Sequence, residues 1–102
     1  MEDKLGVREF QDLIKEEFFH KDSGRGLART FVWFSEEVGE LARAIRYADK
    51  KAQGEEFADV LAWLCTLANL AGIDLEEEAR AKYGKGCPRC GSKPCKCKEA
   101  FK

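Results

Sequence analysis

Trp33-Phe34-Ser35-Glu36-Glu37-Val38-Gly39-Glu40-Leu41-Ala42-Arg43-Ala44-Ile45-Arg46-Tyr47 is the stretch on which the fold turns. It holds no proline and a single glycine, and its apolar residues recur at alternating spacings of four and three, so it reads as helix. Two neighbouring lines run along that helix. Phe34, Val38, Leu41, Ile45 and Ala48 form a wholly apolar one; Trp33, Glu37, Glu40, Ala44 and Tyr47 form the other. Two carboxylates therefore lie beside the core-facing line rather than on the opposite face, where solvated charges belong. Burying or half-burying a carboxylate is costly unless a cation or hydrogen-bond donors compensate it.

Working outward, the same helix extends from Leu27 to about Ala48. Before it, Val7, Phe10, Leu13, Ile14 and Phe18 recur at helical spacing, which predicts a first helix from Leu5 to about His20, broken by Lys21-Asp22-Ser23-Gly24-Arg25-Gly26. After it, Asp49 to Gly54 reads as a short polar connection. A third helix is expected from about Glu55 to Ala71, with Phe57, Val60, Leu64, Leu67 and Ala71 facing a core and Glu56, Asp59, Trp63, Thr66 and Leu70 on the adjacent line. An acidic pair three residues apart thus continues into apolar residues on both helices. A short connection makes them antiparallel neighbours, yet a symmetric turn would leave the two acidic pairs offset by several ångströms at about 1.5 Å per residue. Gly72 stops the third helix. Asp74 is placed to cap a short fourth one that ends near Tyr83 or Gly84, its glutamates at the positive end of the dipole. The class implied is an all-α bundle of four helices.

The chain has 102 residues and a net charge of −1, but the charge is unevenly spread: residues 1 to 79 carry 10 Lys and Arg against 18 Asp and Glu, residues 80 to 102 carry 8 against 1. Two units follow, a helical domain over 1–85 and a basic cysteine-rich tail over 86–102. A core of roughly 80 residues is near the lower limit for stability unaided, so oligomerisation or a structural metal is expected. The apolar lines on the first three helices also exceed what one thin bundle covers, which points to a homodimer or a dimer of dimers. No apolar run reaches the length of a membrane span, and Glu2, Asp3 and Lys4 stand where a signal peptide needs apolar residues. The expectation is a soluble, cytoplasmic protein.

Residues three apart share a helix face, so Glu37 with Glu40 and Glu56 with Asp59 each form a two-carboxylate clamp. Opposed on antiparallel helices, the four make a hard, oxygen-only, negative site suited to Mg²⁺ or Mn²⁺ and unsuited to zinc. An ordinary solvated acidic face would have to place Trp33, Tyr47, Trp63 and Leu70 on the same exposed lines.

Glu36-Glu37-x-x-Glu40, fifteen residues, then Glu56-x-x-Asp59 resembles the EExxE and ExxD signature of the MazG-like nucleotide pyrophosphohydrolases, within the all-α NTP pyrophosphatase superfamily. The flanks are similar as well: Arg25-Gly26 and Thr30 to Phe34 before the first motif, Leu41 to Arg46 after it, and Asp59-Val60-Leu61 through to Gly72-Ile73-Asp74-Leu75. The likeness spans roughly residues 5 to 85. It implies Mg²⁺-dependent hydrolysis of a nucleoside triphosphate between its α and β phosphates, with Glu37, Glu40, Glu56 and Asp59 as metal ligands. Glu36, turned about 100° from Glu37, is a candidate to orient or deprotonate the attacking water and equally a surface glutamate. Lys21, Arg25, Lys82 and Lys85 are candidate phosphate-binding cations. The chain departs from the family's lysine-rich ending at Lys82-Tyr83-Gly84-Lys85-Gly86. Trp33, Trp63 and Phe31 are candidates to stack on a base, or core residues, and Asn69 to contact sugar or base.

The tail carries a second metal signal. Cys87-Pro88-Arg89-Cys90-Gly91 resembles a zinc knuckle, and Cys95-Lys96-Cys97 completes a set of four thiols suited to tetrahedral Zn²⁺. The alternative is a disordered basic tail with free thiols. Cys65 reads as a small core residue and His20 as a dipole partner at a helix end. Two other functions stay open at this point: a small nucleic-acid-binding protein in which helices scaffold a basic zinc module, and, within the same superfamily, a phosphoribosyl-ATP pyrophosphatase.

Overall fold

The computed structural model describes residues 5–99. Helices α1 (Val7–Arg25), α2 (Leu27–Arg46), α3 (Lys50–Ala71) and α4 (Leu75–Tyr83) follow one another, and an irregular tail carries the four clustered cysteines. No strand occurs among the described residues, and no single helix there is long and apolar enough to cross a membrane. α3 is the middle element. α2 lies along one side of it and α1 along another, α1 and α2 meet only briefly, and the short α4 packs back on α1.

Two expected boundaries are corrected. α1 does not break at Lys21 but runs on to Arg25, and the whole turn into α2 is Gly26, whose φ of 86° is open to glycine and unfavourable to other residues. Its last turn is held by Asp22, which is buried and paired with Arg25; Arg25 in turn donates from Nε to Thr30 Oγ1 at 3.0 Å. Gly24 is tolerated inside the helix at a cost of about 1 kcal/mol relative to alanine.

α3 likewise begins at Lys50, so Asp49 to Gly54 is not a loop. Asp49 caps it, accepting from the Ala52 amide at 3.1 Å. α2 ends at Arg46, two residues before the Ala48 that its apolar pattern suggested. The Ala48 amide bonds Ile45 O at 3.0 Å, and the Asp49 amide bonds Ala44 O at 3.2 Å, a Schellman-type closure with Ala48 at φ 57°. The α2–α3 connection is therefore only Tyr47, Ala48 and Asp49. Its shortness removes the offset that a six-residue loop would have left between the acidic pairs.

The seam between α1, α3 and α4 is polar. Gln11, buried on the inner line of α1, donates from Nε2 to Ile73 O (2.6 Å) and Asn69 Oδ1 (2.9 Å) and accepts from the Leu75 amide (2.9 Å), while Asn69 Nδ2 bonds Gln11 O (3.3 Å). Arg8 binds Asp74 (2.8 Å) and Glu76 at the start of α4, and Glu76 accepts the Arg8 amide, serving as the cap that Gly6 lacks. Asp74 caps α4 as expected, accepting from the Glu77 amide at 2.9 Å. The Arg8 guanidinium and that amide hold the Asp74 carboxyl below the usual range.

Among the described residues few apolar side chains are buried: Ile14, Ala44, Cys65 and Ala68. The apolar lines read as core-facing are not covered, with Val38 42%, Ile45 52% and Phe57 56% exposed. Burial on α2 and α3 falls instead on Ala44, Cys65, Thr66 and Ala68, and Ala44 and Thr66 belong to the lines that carry the acids, so within the chain those lines face the neighbouring helices.

Candidate functional site

α2 and α3 run side by side, and the three-residue turn sets Glu37 level with Glu56 and Asp59. One carboxylate oxygen from each lies within 4.8 Å of the others. Glu37 and Glu56 are half-buried and Asp59 is exposed. Glu56 Oε1 is buried with no hydrogen-bond partner. A buried, unpartnered carboxylate oxygen is costly, and a divalent cation bridging the three acids would satisfy it. The donor set is all oxygen and carries three negative charges, which fits Mg²⁺ or Mn²⁺.

The electrostatics agree with that fit. Burial pushes the Glu37 carboxyl above the ordinary glutamate range, helped by the charges of Asp59, Glu56 and Glu40. Glu40 is exposed and falls outside the group of three, though near enough for its charge to act on Glu37. Glu36 is exposed on the neighbouring face.

Beside the acids, α1 and α3 enclose a cleft of 340 Å³ that reaches Asp59. Phe18, Trp63 and Thr66 supply its walls, and Lys21, Asp22 and Arg25 its polar end. The Arg25 guanidinium covers the Trp63 ring at 4.9 Å, and Trp63 is stacked on Trp33 with centroids 6.3 Å apart. Lys21 is exposed at the rim, whereas Arg25 is committed to Asp22 and Thr30. Of the residues singled out for phosphate or base, the fold thus brings Lys21 and Arg25 to the cleft that reaches Asp59, with Trp33 behind Trp63.

It does not bring Asn69, Lys82 or Lys85 to that cleft. Asn69 follows Asp59 by ten residues, about 15 Å along the helix axis, and its amide is engaged with Gln11. Lys82 lies over the Tyr83 ring at 5.7 Å, and Lys85 follows α4. Sequence reading missed Asp22, which anchors the cleft's polar end, and Gln11. Both were visible as polar residues interrupting an apolar helical line, Val7-Gln11-Ile14-Phe18 for Gln11 and the i, i+4 successor of Phe18 for Asp22.

In the tail, ligand atoms from Cys87, Cys90, Cys95 and Cys97 likewise lie within 4.8 Å of one another. The amides of Lys96 and Ser92 draw the Cys90 thiol down to about 6, whereas the neighbouring thiols of Cys95 and Cys87 push Cys97 up to about 12. Cys65 is fully buried in α3 and its thiol is raised by that burial, as a core cysteine should be.

Against individually curated proteins the sequence gives no match. The profile of the MazG nucleotide pyrophosphohydrolase domain matches residues 25–91, which takes in α2, α3, α4, the acidic cluster and the first cysteine pair. With that match covering about two-thirds of the chain, and with paired acids on two antiparallel helices of an all-α fold, the chain belongs to the MazG nucleotide pyrophosphohydrolase family.

Proposed function

We propose that this protein hydrolyses a nucleoside or deoxynucleoside triphosphate between the α and β phosphates, consuming one water and releasing a nucleoside monophosphate and pyrophosphate. The observation that carries the reading is the grouping of carboxylate oxygens of Glu37, Glu56 and Asp59 within 4.8 Å of one another, with Glu56 Oε1 buried and unpartnered and Asp59 lining the adjacent cleft. Glu37, Glu56 and Asp59 hold Mg²⁺ or Mn²⁺, with Glu40 adding charge and a further ligand for a second ion. When bound, the divalent ion neutralises the triphosphate and stabilises the charge that develops during attack at the α phosphorus.

The chain's own groups do the rest. Trp63, braced by Trp33 and Arg25, and Phe18 exclude water from one side of the substrate and orient the base and sugar. Lys21 at the rim pairs with phosphate oxygens. Arg25, fixed by Asp22, keeps the Trp63 face in place. Glu36 or the cluster itself accepts the proton released as water attacks; a carboxylate at the edge of the site, rather than one fully ligated, is suited to that transfer.

A second copy of the chain completes the assembly. Leu27, Phe31, Val38 and Ile45 on α2 and Phe57 and Leu64 on α3 are all more than a third exposed in one protomer. A contiguous apolar face of that kind is characteristic of an interface. Light scattering should return a mass of two or four chains, and a monomer at micromolar concentration would remove this part of the reading.

The activity is tested by pyrophosphate release from a panel of standard and modified nucleotides with Mg²⁺. Phosphoribosyl-ATP belongs in the panel, as a substrate of the superfamily. Release that is lost in Asp59→Asn and Glu56→Gln, with the helical spectrum retained, is the expected result. Absence of release from every nucleotide would overturn the enzymatic reading.

A further inference from the structure

We infer that the carboxy-terminal cysteines form a structural Zn²⁺ site, filled independently of the acidic cluster and responsible for the fold of the tail. Four observations carry this. The first is distance: a tetrahedral ion with bonds of about 2.3 Å to sulfur sets its sulfurs about 3.8 Å apart, and Cys87 Sγ and Cys97 Sγ stand 3.7 Å apart. That separation is well beyond the roughly 2.05 Å of a disulfide.

The second is the backbone around the sulfurs. The amide of Arg89 donates to Cys87 Sγ (3.4 Å), that of Lys96 to Cys90 Sγ (3.3 Å) and that of Cys97 to Cys95 Sγ (3.3 Å). Amides aimed at sulfur stabilise thiolates, the form that binds metal. The bend that aims them is closed by Gly91 N to Cys87 O (2.7 Å) and Cys87 N to Ser92 O (3.1 Å). It needs glycine at two places. Gly86 has φ 111°, and a Cβ there would meet Gly91 O and Ser92 O at 3.1 Å each; Gly91 has φ 75°.

The third is what is missing from the segment. Residues 86–99 contain no leucine, isoleucine, valine, methionine or aromatic residue, so no apolar core is available to offset the entropy of ordering these loops. A metal cross-link supplies that stabilisation in small modules without a core. The fourth is charge. Four thiolates around Zn²⁺ leave a net charge of −2, and Lys85, Lys93, Lys96 and Lys98 surround the site in sequence. Soft thiolates select zinc over magnesium, and the carboxylates of α2 and α3 have the opposite preference. Donor chemistry alone therefore sorts the two metals.

The test uses the full chain. Protein purified without added metal should retain one zinc per chain after dialysis that removes magnesium. Replacing zinc by Co²⁺ should give an intense thiolate charge-transfer band and the strong red ligand-field absorption of a tetrahedral site. Cys90→Ser and Cys97→Ser should lose the bound zinc and that spectrum while keeping the helical circular dichroism; Asp59→Asn should keep both metal signals. The wild-type zinc content decides the matter even if a cysteine variant misfolds. Less than a tenth of a zinc per chain, a weak octahedral cobalt spectrum, iron–thiolate absorption in the purified protein, or loss of zinc in Asp59→Asn would each overturn the inference. None of these outcomes bears on pyrophosphate release, so the two proposals fail separately.

Discussion

Asp59→Asn should stabilise the metal-free protein while disabling it. Asp59 lies within 4.8 Å of carboxylate oxygens of both Glu37 and Glu56. Two unit charges at that separation repel by about 3.5 kcal/mol at an effective dielectric of 20 and by about 0.9 kcal/mol in water. Asp59 is exposed, which favours the lower figure. Relief of about 1 kcal/mol in total is the reasonable expectation, a rise of roughly 4 to 8 °C in the melting temperature for a domain of this size. Adding Mg²⁺ should reverse the order. The wild type gains RT ln(1 + [Mg²⁺]/Kd), about 2.7 kcal/mol at a hundredfold excess over Kd, and the variant gains little. Losing a ligand that contributes about 3 kcal/mol to the transition state should lower kcat/KM by roughly a hundredfold. The assay is a pair of thermal melts, in magnesium-free buffer and in Mg²⁺, with pyrophosphate release measured on the same samples. If the variant melts lower than the wild type without magnesium and keeps the full magnesium-induced shift, the cluster is not a cation site and the reasoning fails.

Glu37 makes the magnesium effect depend on pH. Its carboxyl is raised by burial and by Asp59 and Glu56, so the metal-free fold gains stability from it at low pH and loses that gain as pH rises through the raised value. Mg²⁺ competes with the same proton, so its affinity should weaken as pH falls through that range, by up to about tenfold per pH unit; Glu37→Gln should flatten both profiles in melts from pH 4 to 8. Gln11→Ala should destabilise the fold by about 2 to 3 kcal/mol in urea titration, because it leaves the Leu75 amide and Asn69 without their buried partner. An effect under 0.5 kcal/mol would contradict the seam described above. Ala48→Gly should stabilise by about 0.5 to 1 kcal/mol, since alanine at φ 57° is strained and glycine is not. A loss of stability there would mean that the turn does not close as described.

The helices were legible because each carries its own pattern. Val38, Leu41 and Ile45, and Phe57, Val60 and Leu64, repeat at helical spacing whatever lies opposite them, and Gly72 and Asp74 mark an end and a start by local backbone preference. The boundary errors have a common cause. Lys21 to Arg25 and Asp49 to Gly54 are polar and contain glycine, which locally favours a turn; the structure holds them helical through the Asp22–Arg25 pair and the Asp49 cap. Asn69 drew attention because it follows Asp59 along α3, but a buried amide is placed by its partner, and its partner is Gln11 on another helix.

The sequence by itself determined the donor chemistry of two clusters. Side-chain type decides hardness, so Glu37, Glu40, Glu56 and Asp59 offer hard oxygen donors and Cys87, Cys90, Cys95 and Cys97 soft sulfur donors. It also determined which face of each helix is apolar. Only the tertiary structure decided which acids act together. The turn at Tyr47, Ala48 and Asp49 sets the register of α2 against α3, and that register leaves Glu37 level with Glu56 and Asp59 and Glu40 outside the group. Register across two helices is set by a turn and by packing, neither of which is written in the periodicity of either helix alone.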